Sequence, residues 1–341
     1  MKEFLSRLCA GENLDVAEAK SAMAAIMDGE ATPAQVAAFL VALKMKGETP
    51  DEIYGCAVAM RERAAKVTSS RLGLTDTCGT GGDGKGTFNI STVAALIAAG
   101  AGLPVAKHGN RSVSSQCGSA DVLEALGVNL ELTPDEMGAC LDEVGIAFLY
   151  APVLHQAMRH AAGPRREVGV RSVFNVLGPL TNPAGAKRQV MGVYAPELAE
   201  KLARVLLLLG TERALVVHGS DGSDELTLAG ETKICEILNN DLHCYQLTPE
   251  DVGLQRAALS EISGGGPEEN AALALAVLQG KKGPHRDVSL LNAAAALYVG
   301  GLAGSLRDGV ELAQRAVDSG KALGMLQALQ RFTERCGRRA S

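Results

Sequence analysis

Apolar positions in the first part of the chain recur with the period of a helix. Val36, Phe39, Leu40 and Leu43 fall on one face at 3.6-residue spacing. The polar residues around them agree. Thr32-Pro33-Ala34-Gln35 and Thr49-Pro50-Asp51-Glu52 each set a threonine three residues before a glutamine or glutamate, with proline at the first helical position. In such a capping box, side chains satisfy backbone N–H groups that the first turn leaves unpaired. Thr133-Pro134-Asp135-Glu136 repeats the pattern, and Gly47 stands where a helix should stop. The first 65 residues therefore read as alanine-rich, closely packing helices. From about residue 74 the rhythm changes, and short β-rich runs alternate with helical ones. Strands are expected at 104–106, 146–150, 214–218, 233–238 and 243–247. Helices are expected at 91–100, 119–126, 134–144, 196–209, 268–278, 288–298 and in a final stretch to about 335, after which the tail is expected to be unstructured. Strand–helix alternation predicts an open α/β sheet, mostly parallel and flanked by helices. The predicted architecture is a small all-helical domain over 1–70, joined by a helical segment near 165–190, and a larger α/β domain over 71–341. A cleft between two such units is a natural ligand site.

Composition narrows the function. The 341 residues are 47% apolar and 21% charged, as in an ordinary globular protein, with a net charge of −6. That balance argues against a general nucleic-acid binder and leaves room for a local basic pocket. The longest uncharged apolar stretch, 93–106, is too short and glycine-rich to span a bilayer, and residues 1–10 carry charges where a signal peptide would be apolar. The eight cysteines include no CxxC pair. Reduced, mostly buried thiols in a cytoplasmic protein are expected. A zinc site is the weaker alternative, since Cys235 and Cys244 have no matching second pair.

The most informative segment is Asp76-Thr77-Cys78-Gly79-Thr80-Gly81-Gly82-Asp83-Gly84-Lys85-Gly86-Thr87, in which five of the eight residues from Gly79 to Gly86 are glycine. Glycine admits positive φ and lacks a Cβ, so backbone N–H groups can close around an anion. A helix signal at Ser91-Thr92 would aim an N-terminus at the same anion. The segment fits GxGxxG, but a dinucleotide site also wants an acid roughly 20 residues on, and the 37 residues from Gly84 to Ala120 hold no Asp or Glu. It nearly fits a P-loop, but Gly86 stands where the magnesium-binding Ser/Thr must be. A flexible surface loop is the plainer alternative. That reading leaves unexplained why Lys85, Lys107 and Arg111 fall in a carboxylate-free stretch of an acidic protein. Lys107-His108-Gly109-Asn110-Arg111-Ser112-Val113-Ser114-Ser115 forms a second donor-rich loop. Two such loops suit a ligand with phosphate at both ends.

These motifs resemble the anthranilate phosphoribosyltransferase family, of the class that shares its fold with pyrimidine nucleoside phosphorylases. The matching residues are Gly79 to Asp83, Asn89-Ile90-Ser91-Thr92, Lys107 to Ser115, Gly118-Ser119-Ala120-Asp121, Phe174 to Pro183 and Gly222-Ser223-Asp224-Glu225. The likeness runs from about Gly11 to Leu323. It implies transfer of a 5-phosphoribosyl group from phosphoribosyl pyrophosphate to the amine of anthranilate, a step of tryptophan biosynthesis. It further implies that Gly79, Gly82, Asp83, Thr87, Asn89, Ile90, Ser91, Thr92, Lys107, His108, Gly109, Asn110, Arg111, Ser112, Val113, Ser114, Ser115 and Ser119 contact phosphoribosyl pyrophosphate. Anthranilate would meet Gly79, Asn110, His155 and Arg165, and Mg2+ would be held by Ser91, Asp224 and Glu225. A homodimer through the N-terminal helices is also implied. Two residues depart from the family pattern, Gln156 where proline is usual and Ser223 where leucine is usual.

The chemistry suits these residue types. Displacing pyrophosphate from C1 of ribose builds an oxocarbenium-like transition state with charge growing on the leaving group. Lys107, Asn110 and the metal are expected to stabilise it, with no firm general acid or base. Magnesium takes one or two carboxylates and keeps the rest of its shell for water and phosphate. Arginine matches a carboxylate bidentately, and Arg166 and Arg171 rival Arg165 for that role. His108 is a candidate base, with a packing role favoured. A nucleoside phosphorylase and a non-catalytic nucleic-acid-binding relative stand as alternatives.

Overall fold

The computed structural model describes residues 1–112 and 116–337. The expected caps form. The hydroxyls of Thr32, Thr49 and Thr133 accept from the N–H groups of Gln35, Glu52 and Glu136, and the N3 side chains reach back. They open the helices Pro33–Lys46, Pro50–Arg63 and Pro134–Val144. Gly47 closes the first of these with φ +88°. Lys2–Cys9 and Val16–Met27 complete the N-terminal set, the latter capped by Asp15 and Glu18. Val36, Phe39, Leu40 and Leu43 are fully buried, each worth about 1.5–3 kcal/mol by transfer from water.

Among the described residues the sheet has seven strands. They are β1 (Thr75–Asp76), β2 (Val105–Gly109), β3 (Ile146–Tyr150), β4 (Arg188–Gly192), β5 (Arg213–Gly219), β6 (Thr232–Leu238) and β7 (Asp241–Leu247). The order is β3-β2-β1-β4-β5-β6-β7. The first five run parallel, β6 pairs antiparallel with β5, and β7 pairs antiparallel with β6. The sequence pattern predicts five of these strands and misses β1 and β4. β1 has only two residues, both polar, and β4 opens with Arg188-Gln189, so neither shows an apolar run. Gln189 is buried because its amide donates to the carbonyls of Cys78 and Pro179, contacts that form only in the fold.

Alternation along β5 serves two cores. Leu215 and Val217 join the helices Ile90–Gly100 and Pro284–Val299 on one face. Ala214 and Val216 join the N-terminal helices, residues 173–180 and the helix Pro196–Leu208 on the other. The strand order reverses between β1 and β4, and open α/β sheets bind ligands at the carboxyl ends of strands at such a switch point. The glycine-rich loop leaves the end of β1 there.

Two expectations need correction. Cys235 and Cys244 are bonded as a disulfide rather than reduced. They lie directly opposite in the antiparallel β6–β7 register, a pairing that the nine-residue separation does not reveal. The last helix, Lys321–Gly337, runs past the expected end at 335, and the rest of the tail lies outside the described residues.

Candidate active site

The glycine loop has the backbone its composition predicts. Gly81, Gly82, Gly84 and Gly86 have φ of +64°, +79°, +70° and +67°, a region that side-chain-bearing residues rarely adopt. Gly79 is needed for space, since a Cβ there would stand 2.8 Å from the Gly192 carbonyl oxygen. The Thr80 N–H donates to that same oxygen at 2.8 Å, which ties the loop to the end of β4. Asn89 precedes the helix Ile90–Gly100. Its side chain bridges the Cys117 carbonyl and the amide of Asn270, at 3.2 and 2.9 Å.

Lys107 joins the two donor loops. Its ammonium is buried and donates to the Thr77 carbonyl, the Thr77 hydroxyl and the Ser91 hydroxyl at 3.3, 3.1 and 3.3 Å. Three donors meet three neutral oxygens, so the charge is oriented and not cancelled. Its charge reaches Glu225, which with Asp224 lies on the turn after β5. Both carboxyls keep some solvent access but lie deep among protein atoms. Burial raises Asp224 first and the Asp83 charge second, while burial and then the Asp224 charge raise Glu225. Lys107 and the Ser91 N–H partly offset the shift at Glu225. Asp83 also accepts from the Asp224 N–H at 3.3 Å. A divalent cation would relieve this repulsion. Among the described residues no three His, Cys, Asp or Glu side chains form a metal cage of their own. Two carboxylates and the Ser91 hydroxyl therefore suit magnesium, which leaves ligand positions to substrate.

Asp76 lies beneath the second loop, fully buried. It accepts from the Asn182 amide at 2.7 Å and the His108 N–H at 3.0 Å. Burial pushes its carboxyl from 3.8 up to about 6, against the pull of Asn182 and Lys107. The folded state then holds a proton that the unfolded state has lost between about pH 4 and 6. That contribution is complete below the unfolded value and vanishes as pH rises through the folded one. It amounts to on the order of 3 kcal/mol. Asp76→Asn should therefore gain stability relative to the unsubstituted chain as pH rises from 4 to 7, read by denaturant unfolding at each pH. A difference that stays flat across this range would show that Asp76 titrates normally.

The acceptor side gathers around two histidines. His108 and His155 are buried with ring centroids 5.1 Å apart. The His108 Nδ1 lies 3.1 Å from the Gly178 carbonyl, which can only accept, so this nitrogen carries the proton and Nε2 keeps a lone pair. Burial lowers His108 to about 3 and His155 to about 4, so both are neutral at working pH. Each Nε2 is buried without a hydrogen-bond partner among the described residues. Arg165, on the helix Arg159–Val168, lies 5.9 Å from the Phe174 ring centroid and has no carboxylate partner among the described residues. Of its rivals, Arg166 is exposed, and Arg171 donates to the Gly82 carbonyl while stacking on Tyr194.

Not every expected contact offers its side chain. Ile90 and Thr92 are buried in the core, so only their backbone can serve a ligand. Arg111 is paired with Asp121 and Glu124 and bonded to the Tyr150 hydroxyl. The Ser112 N–H donates to Asp121. The acid-free stretch thus ends on carboxylates that fold back onto it. Gly109 packs against Ser119, whose hydroxyl donates to the Asn110 carbonyl at 3.2 Å. Thr87 forms a bridge with Ser263. Val113, Ser114 and Ser115 lie outside the described residues.

Two family models match, the glycosyl transferase family helical bundle domain over residues 2–64 and its a/b domain over residues 71–323. The anthranilate phosphoribosyltransferase of Moorella thermoacetica is 58% identical over 98% of both chains. The chain belongs to the anthranilate phosphoribosyltransferase family. The Symbiobacterium thermophilum member is 57% identical over 98% of both chains. The Thermus thermophilus structure superposes with a TM-score of 0.93 at 50% identity, covering 97% of this chain and 99% of that one. The Saccharomyces cerevisiae member, in complex with PRPP and Mg, gives 0.90 at 29% identity, covering 98% and 97%.

Within this family frame, the two departures differ. The Ser223 hydroxyl and N–H both donate to the Asp221 carboxylate, at 2.6 and 3.0 Å, and fasten the acidic turn. Nothing in the structure explains Gln156. Sequence reasoning gave no role to Asp76, Thr77 and Asn182, although they lie within motifs it singled out, and missed Asp221 and Asn270. Only Asp221-Gly222 carried a local signal, that of a turn. The others act through partners as far as 181 residues away, as Asn270 does with Asn89.

Proposed function

We propose that this chain moves the 5-phosphoribosyl group of phosphoribosyl pyrophosphate onto the amine of anthranilate, releasing pyrophosphate, in tryptophan biosynthesis. One observation carries the reading. A buried, uncancelled lysine and two repelling carboxylates meet at the glycine loop where the strand order reverses. In this reading the loop N–H groups and Lys107 take the phosphates, and Ser91, Asp224 and Glu225 hold Mg2+. The bound cation supplies charge neutralisation at the departing pyrophosphate.

The C1–O bond breaks as the amine nitrogen bonds to C1, and the amine then sheds a proton. An aromatic amine is largely unprotonated at neutral pH, so no strong base is required. Neutral His108 and His155 wall the acceptor, with the His108 Nε2 lone pair able to accept from the amine, and Asn110 orients it. Arg165 holds the anthranilate carboxylate. Fixing both partners lowers the barrier by about 7–11 kcal/mol in favourable cases.

The test is the loss of anthranilate fluorescence on adding phosphoribosyl pyrophosphate and magnesium. No turnover at micromolar enzyme would reject the reading. Arg165→Ala should raise the KM for anthranilate about 10- to 100-fold, the worth of a charged hydrogen bond, with the KM for phosphoribosyl pyrophosphate nearly unchanged. An unaltered anthranilate KM would pass the role to another group.

The same reading takes 1–70 and 71–341 as the two units, linked near 165–190, in a cytoplasmic homodimer joined through the N-terminal helices. Met45, 83% exposed at the end of the helix Pro33–Lys46, supports a covered face there. Among the described residues no helix is long and apolar enough to cross a membrane.

A further inference from the structure

We propose that Arg171 is a positioning residue that couples the two substrate sites, clasping the glycine loop to the segment that carries Arg165. The inference rests on the function proposed above. Arg171 follows Gly169, whose φ of +66° ends the helix bearing Arg165. Beyond it, the Ser172 N–H donates to the Asn175 side chain at 2.9 Å, pinning the short helix Phe174–Leu177. Phe174 is the ring that faces the Arg165 guanidinium.

On its other side Arg171 grips the loop. It donates to the Gly82 carbonyl, and its guanidinium carbon lies 4.2 Å from the Tyr194 ring centroid. The Tyr194 N–H donates in turn to the Thr80 hydroxyl at 3.1 Å. Farther along, the loop is held at Asp83, which accepts from the Asp224 N–H at 3.3 Å, and at Gly86, whose carbonyl accepts from the Gly264 N–H at 2.8 Å. A Cβ added to Gly81, Gly84 or Gly86 would meet nothing within 4 Å, and one on Gly82 would meet only Arg171, at 4.0 Å.

Between the Thr80 and Asp83 anchors, Gly82 is gripped by the Arg171 guanidinium, so a ligand on the loop N–H groups bears directly on that side chain. An anionic ligand on those N–H groups orders Gly82, which fixes Arg171 and, through the Gly169 turn, the Arg165 segment. Anthranilate then binds more tightly to enzyme already holding phosphoribosyl pyrophosphate, and the effect is reciprocal. The planar guanidinium is required because one group must donate and stack at once.

The experiment measures the KM for anthranilate at phosphoribosyl pyrophosphate concentrations below and above its own KM. In the unsubstituted enzyme the anthranilate KM should fall about fivefold or more as the co-substrate saturates, the lower range of site-to-site coupling. In Arg171→Ala that ratio should approach one, with kcat within about threefold and an unchanged melting temperature. Arg171→Lys keeps the charge but not the fork, so it should not restore the ratio. Tyr194→Ala, which removes both the ring and the hydroxyl that meet Arg171, should lower the ratio as well. A full ratio in Arg171→Ala, a ratio of one in the unsubstituted enzyme, or rescue by lysine would each overturn the clasp. An unsubstituted enzyme that fails to consume anthranilate would instead reject the function on which it rests.

Discussion

Replacing both acids, in Asp224→Asn/Glu225→Gln, lowers turnover by at least about a thousandfold, because metal-assisted charge stabilisation is worth several kcal/mol. The fold should survive. Both carboxyls are raised by burial and by neighbouring charge, so removing them relieves repulsion, and the double variant should melt no lower than the unsubstituted enzyme at neutral pH. The opposite movement of activity and stability is the signature of a ligand site held under electrostatic strain. Turnover within tenfold at saturating magnesium would reject the assignment of the pair to the cation. A fall in melting temperature with turnover intact would make it a structural feature of the turn after β5.

Lys107→Met has the second largest expected effect. Lys107 is the buried cation common to both loops, and its charge favours the ionised forms of Asp76 and Glu225. Removing it takes away one preorganised donor for the leaving group, which costs about 100- to 1000-fold in kcat. It also leaves the Thr77 and Ser91 oxygens without their donor, at a cost of about 1–3 kcal/mol of stability. Single-turnover measurements on folded protein separate the two, since the chemical step should slow even where the protein is fully native. A chemical step within threefold of the unsubstituted rate would leave Lys107 a structural role alone.

What was legible in the sequence was local. The capping boxes at Thr32, Thr49 and Thr133 announce their helices because donor and acceptor lie three residues apart. The glycines of the 79–86 loop announce their backbone because positive φ is a property of single residues. The carboxylate-free stretch after Gly84 pointed to an anion-binding region on charge alone. The family motifs added Asp224, Glu225 and Arg165, whose default reading as surface charges would have passed them over.

The tertiary structure decided which of these groups are free to act. Arg111 and Lys107 look alike in the sequence, yet Asp121 and Glu124 pair directly with the one, while the hydrogen bonds of the other go to neutral oxygens. Arg165 and Arg171 look alike too, but Gly82 and Tyr194 engage only the second. β1 and β4 exist because their neighbours supply the ladder, and the Cys235–Cys244 bond exists because a strand register sets the two residues opposite. Backbone preference and capping act over a few residues and can be read along the chain. Charge compensation, burial and strand pairing depend on distances in space, which the order of residues does not contain.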